Sequence, residues 1–123
     1  MSIEKHKSEI IQELLFKQIQ NISKKYKDYL KISMGDVYLD CSDGDYIIDI
    51  FIDNIYDIGD FNNEDMYILY LNDFMKECDK LVNEIDKQLP KHLWFSDNWN
   101  SRIVGYDKIY YTSKSLQFKV LDE

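Results

Sequence analysis

The sequence predicts an α+β domain: an antiparallel sheet of four to five strands with two long helices on one face, in the order α-β-β-α-β-β-β. Three observations carry this. Apolar residues recur at helical spacing near the N-terminus and again over residues 62–89. Between those stretches two runs alternate apolar and polar residues around a short polar turn. After Pro90 the chain returns to short runs rich in β-branched and aromatic residues. Hairpins form one layer and helices of this kind cover it. The 123 residues fit a single domain, 1–123, able to bury a core without disulfide or metal staples.

Residues 3–30 read as the first helix. Ile10, Ile11, Leu14, Leu15, Ile19, Ile22, Tyr26 and Tyr29 form its apolar stripe. Glu13 and Lys17 stand four apart in the favourable order. Residues 36–41 then alternate, with Val37, Leu39 and Cys41 on one side and Asp36, Tyr38 and Asp40 on the other. Ser42-Asp43-Gly44-Asp45 supplies a hairpin turn. In the returning strand Tyr46, Ile48, Ile50 and Ile52 share one face, while Ile47, Asp49, Phe51 and Asp53 share the other.

Residues 54–63 form a connection. Asn62 is the expected N-cap of the second helix, with Asp65 at the N3 position. Met66 to Leu71 alone reads as a strand. The spacing of Tyr67, Tyr70, Leu71, Phe74, Met75, Cys78, Leu81, Val82, Ile85 and Leu89 decides for helix, stopped by Pro90. Residues 91–100 read as a polar and aromatic loop. Ile103-Val104 is a short strand ended by Gly105, with Asp107-Lys108 in a turn. Ile109 to Tyr111 is another strand, residues 112–115 a turn, and Leu116, Phe118 and Val120 one face of a last strand. The predicted core sets Leu14, Leu15, Ile19, Phe74, Cys78, Leu81 and Ile85 against Val37, Leu39, Ile48, Ile50, Phe118 and Val120.

Charge is the strongest functional signal. The net charge is −8, yet residues 1–31 carry +3, residues 32–75 carry −11 and residues 76–123 are neutral. Ten acids fall between residues 36 and 65: Asp36, Asp40, Asp43, Asp45, Asp49, Asp53, Asp57, Asp60, Glu64 and Asp65. No Lys or Arg occurs between Lys31 and Lys76. Such a surface repels phosphate-rich partners and attracts basic proteins or metal cations. Acids are poor strand formers, and like charges across a hairpin destabilise it. Aromatic residues among them favour a recognition surface over a merely solvated one.

The expected partner-binding residues are therefore Asp36, Tyr38, Asp40, Asp43, Asp45, Asp49, Phe51 and Asp53, with Asp40 and Asp49 approaching across the hairpin. Trp99 joins them as an interface anchor, and Trp94 caps the end of the core. A calcium loop at Asp40 to Asp45 fails, because Gly44 and Asp45 hold its fifth and sixth positions and Phe51 its twelfth. His6 and His92 sit in no nucleophile or zinc context. A metal-dependent nuclease would set clustered carboxylates beside a strand lysine, and the acidic strands lack one. No catalytic residue, metal or cofactor is assigned.

Cys41 and Cys78 are too few for a disulfide framework, and both fall on apolar faces. The N-terminus carries no signal-peptide pattern, and the chain holds no 18-residue apolar segment. A soluble cytoplasmic protein is expected, with no membrane or direct nucleic-acid partner. The function these features favour is inhibition of a basic, nucleic-acid-acting protein by occlusion of its active or binding site. An immunity protein against a nuclease toxin and a phage anti-defence inhibitor of the anti-CRISPR type fit equally. The competing class is a metal-dependent enzyme or cation-binding module on the same carboxylates. A scaffold or self-assembling subunit is the remaining option.

Overall fold

The computed structural model describes residues 5–104 and 108–121. The expected helix start at Ile3, the strand stop at Gly105 and the turn residue Asp107 lie outside them. Helix α1 spans Lys5–Ser23, strand β1 Lys31–Leu39 and strand β2 Tyr46–Asp53. A single 3₁₀ turn at Ile58–Asp60 precedes helix α2, Glu64–Gln88. Strands β3, Leu93–Val104, and β4, Lys108–Val120, complete the chain. The four strands form one antiparallel sheet in the order β1-β2-β4-β3. Both helices cover the same face. Ile48, Ile50, Ile52, Leu116 and Phe118 are fully buried beneath Leu15, Ile19, Phe74, Cys78, Leu81 and Ile85.

The first helix is shorter than its stripe. After Ser23 the N–H groups of Lys24, Lys25 and Tyr26 donate to carbonyls only three residues back, which tightens and ends the helix. Tyr26 and Tyr29 nevertheless dock on α2. The Tyr26 hydroxyl reaches the Lys80 carbonyl at 3.3 Å, and the Tyr29 hydroxyl donates to the Asp73 carboxylate. Leu30 then enters the core and β1 begins at Lys31, five residues earlier than expected. The Ile32-Ser33-Met34 portion was hidden because a bulge between Met34 and Val37 interrupts its alternation.

The bulge also explains the face that α1 buries. Its buried stripe is Ser8, Gln12, Leu15, Ile19 and Ile22, at alternating steps of four and three. Gln12 donates to the Gly35 carbonyl at 2.8 Å and the Asp49 carbonyl at 3.0 Å. A buried polar side chain thus serves backbone acceptors at the bulge. Leu14, predicted to be core, lies off this stripe at 62 % exposure. Leu39, at 48 %, and Cys41 are exposed too, because the turn end of the hairpin runs past the helices. Cys78 is buried as expected, while Val37 and Val120 are half-buried at the core margin.

Asn63, one residue later than expected, caps α2: its Oδ1 accepts from the Met66 N–H at 2.9 Å. Leu89 and Pro90 end that helix as the sequence predicts. The larger correction follows. Residues 93–100 are strand rather than loop, and residues 112–115 continue β4 rather than turning. Lys114 is the reason. It points inward beside Leu116 and Phe118 and meets Asp97 of β3 at 2.7 Å and Asp79 of α2 at 3.1 Å. Polar residues on both faces of a strand erase the alternation that marks one.

Candidate functional site

Among the described residues no helix covers the second face of the sheet. Side-chain alternation from the buried positions assigns that face. Strand β2 contributes Ile47, Asp49, Phe51 and Asp53, and β1 contributes Ser33, Tyr38 and, opposite Asp53, Lys31. Three rows continue across β4 into β3: Asp49–Gln117–Ser96, Phe51–Ser115–Asn98 and Asp53–Ser113–Asn100. Acids and aromatics on the β1–β2 side thus give way to a neutral polar ladder.

Close packing fixes the centre of the acidic half. A Cβ at Gly35 would fall 2.6 Å from both Asp49 Cβ and Phe51 Cε2, so only glycine lets the Phe51 ring lie across β1 there. Phe51 is consequently half-buried, as are Asp49 and Asp53 on either side of it, while Asp36 and Tyr38 stay exposed. Asp49 sits beside it with Oδ1 shut off from solvent and without a hydrogen-bond partner. Burial raises the Asp49 pKa and the nearby Asp36 charge adds to the rise, while a hydrogen bond from Gln117 opposes both. Gln117 Nε2 also donates to the Tyr38 hydroxyl at 2.9 Å. The Tyr38 phenol is itself shifted up, by burial and then by the Asp49 and Asp40 charges. Asp53 accepts from Ser33 Oγ at 2.6 Å.

The turn end is arranged differently. Asp40 N–H donates to the Asp45 carbonyl at 2.8 Å, and Gly44, at φ +76°, takes the left-handed conformation that closes the turn. Lys119 of β4 reaches over to Asp40 at 2.8 Å and Asp43 at 2.6 Å. Its Nζ also lies 5.2 Å from the centre of the Trp94 ring. The Lys119 hydrogen bond, with those from Ser42, holds the Asp40 pKa down to about 2. The same lysine and the Asp45 N–H lower that of Asp43. Lys119 is the residue sequence reasoning missed. Its alternation with Phe118 was visible, but nothing local revealed which turn it would meet.

Several expected groupings change. Asp40 does not face Asp49: it lies in the turn, whereas Asp49 lies beside the bulge and Gln117. A lysine does accompany the carboxylates, contrary to the sequence reading, although it comes from β4. Trp99 is on the helix side of the sheet, against Phe74 and 4.2 Å from Lys114 Nζ. Trp94, expected to cap the core, is the more exposed of the two and belongs to the open face. Asp36 is exposed at the bulge and Asp45 half-buried in the turn.

Cations from later in the chain also meet the acidic middle. Arg102 pairs with Asp57 and Lys108 with Glu64, both on the surface. Asp36, Asp49 and Asp53 have no ion pair among the described residues. No group of three or more His, Cys, Asp or Glu is placed to hold a metal ion among those residues. Among them, too, no helix is long and apolar enough to cross a membrane. An open depression of about 640 Å³ lies elsewhere, between the end of α1 and the start of β1 near Lys17, Lys24 and Lys31. No family model, no curated protein and no solved structure matches this chain.

Proposed function

We propose that this protein binds a basic, nucleic-acid-acting protein through the open face of its sheet and inhibits it by covering its active or nucleic-acid-binding site. One observation carries the reading: Asp36, Asp49 and Asp53, none paired with a cation, surround Tyr38 and Phe51 on a face that no helix covers. Unpaired carboxylates steer a lysine- and arginine-rich cleft, and the aromatics supply desolvated contact once it docks. Asp49 supports this further. A shielded carboxylate oxygen without a donor costs stability in the free protein, and a partner that repacks this corner and brings an Arg or Lys to it relieves that cost. Immunity against a nuclease toxin and phage anti-defence are the two settings proposed, both in the cytoplasm.

The test begins with the immobilised chain capturing proteins from host lysate, followed by kinetics with the captured protein and assay of its nuclease or nucleic-acid-binding activity. The expected partner is basic and loses activity on binding. Phe51→Ala should speed dissociation, as loss of an anchor does. An acidic partner, or one that docks on α1, overturns the reading.

The metal-dependent alternative gains one observation, Lys119 beside Asp40 and Asp43. That lysine already bonds both carboxylates and offsets one of their two charges, which disfavours a cation between them. Millimolar EDTA is therefore predicted to leave the melting temperature unchanged. Saturable stabilisation by micromolar calcium, magnesium or manganese would favour the alternative, because a ligand of the native state raises stability.

A further inference from the structure

The strand order leaves β1 and β3 as edges, and the two are finished differently. Strand β1 is interrupted by its bulge and carries Lys31 and Asp36, devices that discourage pairing with another chain. Strand β3 has no bulge of its own, and its two charges, Asp97 and Arg102, are both held in ion pairs with Lys114 and Asp57. Its twelve residues contain no proline and no lysine. The register shift near Asn100 places the extra residue, Thr112, in β4, so β3 itself runs unbroken. From Trp94 to Val104 its backbone makes no hydrogen bond outside the ladder with β4 among the described residues. An unpaired row of donors and acceptors therefore faces outward.

We propose that β3 pairs antiparallel with the β3 of a second copy, about a twofold axis through Asn98, to give a continuous eight-stranded sheet. The sequence of the edge selects both the occupant and the register. A twofold axis perpendicular to the sheet keeps faces together, so residues that oppose one another lie an even number apart. About Asn98 this sets Leu93 against Ile103, Trp94 against Arg102 and Ser96 against Asn100. Ile103 is 68 % exposed in one chain and Trp94 39 %. Pairing covers the isoleucine with an aliphatic partner and brings a guanidinium to the indole. Asp97 comes opposite Trp99, and its charge is already taken by Lys114 on the helix side. No like charges oppose one another.

The pairing asks little of the monomer. The Arg102–Asp57 pair is exposed on both sides, so a shift of the guanidinium sacrifices little. The same axis leaves the two open faces on one side of the enlarged sheet, with the acidic hairpins at its far ends. This inference goes beyond the proposed function and does not depend on it.

Sedimentation equilibrium from micromolar to millimolar protein tests the proposal. A reversible dimer, twice the 14.8 kDa of one chain, is expected. Asn98→Lys places two lysines face to face and should weaken the dimer about tenfold or more. Asn98→Cys in a Cys41→Ser background should give a disulfide-linked dimer on mild oxidation, whereas Ser96→Cys in that background should not. A wild-type chain that stays monomeric throughout overturns the proposal. So does a dimer that Asn98→Lys leaves intact, or one in which Ser96→Cys crosslinks as well as Asn98→Cys.

Discussion

The two hairpins of this sheet solve opposite problems. The β1–β2 hairpin concentrates acids on an open face and aliphatics beneath it, so its alternation is plain in the sequence. The β3–β4 hairpin carries the counter-charges. Lys114 points inward to Asp79 and Asp97, and Lys119 points outward to Asp40 and Asp43. Two cations on opposite faces of one strand hold α2, β3 and the β1–β2 turn to β4. The acidic character of the first hairpin is thus a property of the whole sheet, because the last strand sets how much of it stays unneutralised.

The two hairpins differ most in how they meet the core that they share. Phe118 is fully buried and stacks on Phe95 at 5.1 Å, while Leu39 is half-exposed at the end of the first hairpin. Phe118→Ala should cost about 3–5 kcal/mol in urea unfolding, through lost transfer energy and a residual cavity. Leu39→Ala should cost less than about 1 kcal/mol, as surface changes do. Equal costs would mean that the first hairpin is anchored along its whole length.

Lys114 comes next. Burial depresses its pKa, but the hydrogen bonds to Asp97 and Asp79 more than offset this and leave the pKa raised. A raised lysine contributes stability that is complete below its ordinary value of 10.5 and is lost as pH climbs through the folded value. Lys114→Ala should cost about 1–3 kcal/mol at neutral pH, by stranding the two carboxylates and uncovering Trp99. The deficit relative to wild type should shrink in strongly alkaline solution. Lys114→Met, which keeps the stem over the indole, should cost less.

The smallest effects lie on the open face and have opposite signs. The Asp49 pKa is raised, so its charged form disfavours folding and the penalty is present once pH exceeds the folded value. Asp49→Asn should raise the melting temperature at neutral pH. That gain should vanish below the ordinary carboxylate value of 3.8. Asp40, held down to about 2 by Lys119 and Ser42, stabilises above 3.8 and loses this contribution as pH falls through 2. Asp40→Asn should therefore lower the melting temperature at neutral pH. Thermal melts of both variants across this range check the two signs together.

Legibility followed the chemistry of each strand. Ile48, Ile50 and Ile52 against Asp49 and Asp53 announce the core and the open face at once, since a one-residue slip would exchange them. The long stripe of α2 was equally clear. The second hairpin was obscured because Asp97 and Lys114 occupy inward positions normally held by apolar residues. The bulge at Gly35 hid the start of β1 in a similar way, and Gln12, which serves its carbonyl, is a polar side chain that no apolar periodicity marks as buried. Within the candidate site, the side of the sheet on which Asp49, Phe51 and Tyr38 lie was readable from period two. Trp99 is not readable in this way, because residues 91–100 read as a loop, where no alternation separates it from Trp94. Lys119 depends on strand order, which local sequence does not encode.

The central claim is that the unpaired carboxylates of the open face recruit a basic partner. The most direct measurement is the association rate of the captured partner with wild type and with the Asp49→Asn, Asp53→Asn double variant, from low salt to well above physiological ionic strength. Electrostatic steering predicts a wild-type rate that falls as salt screens these charges, and a variant that associates more slowly at low salt with the difference closing as salt rises. A double variant that binds as well as wild type across the whole range would contradict the account.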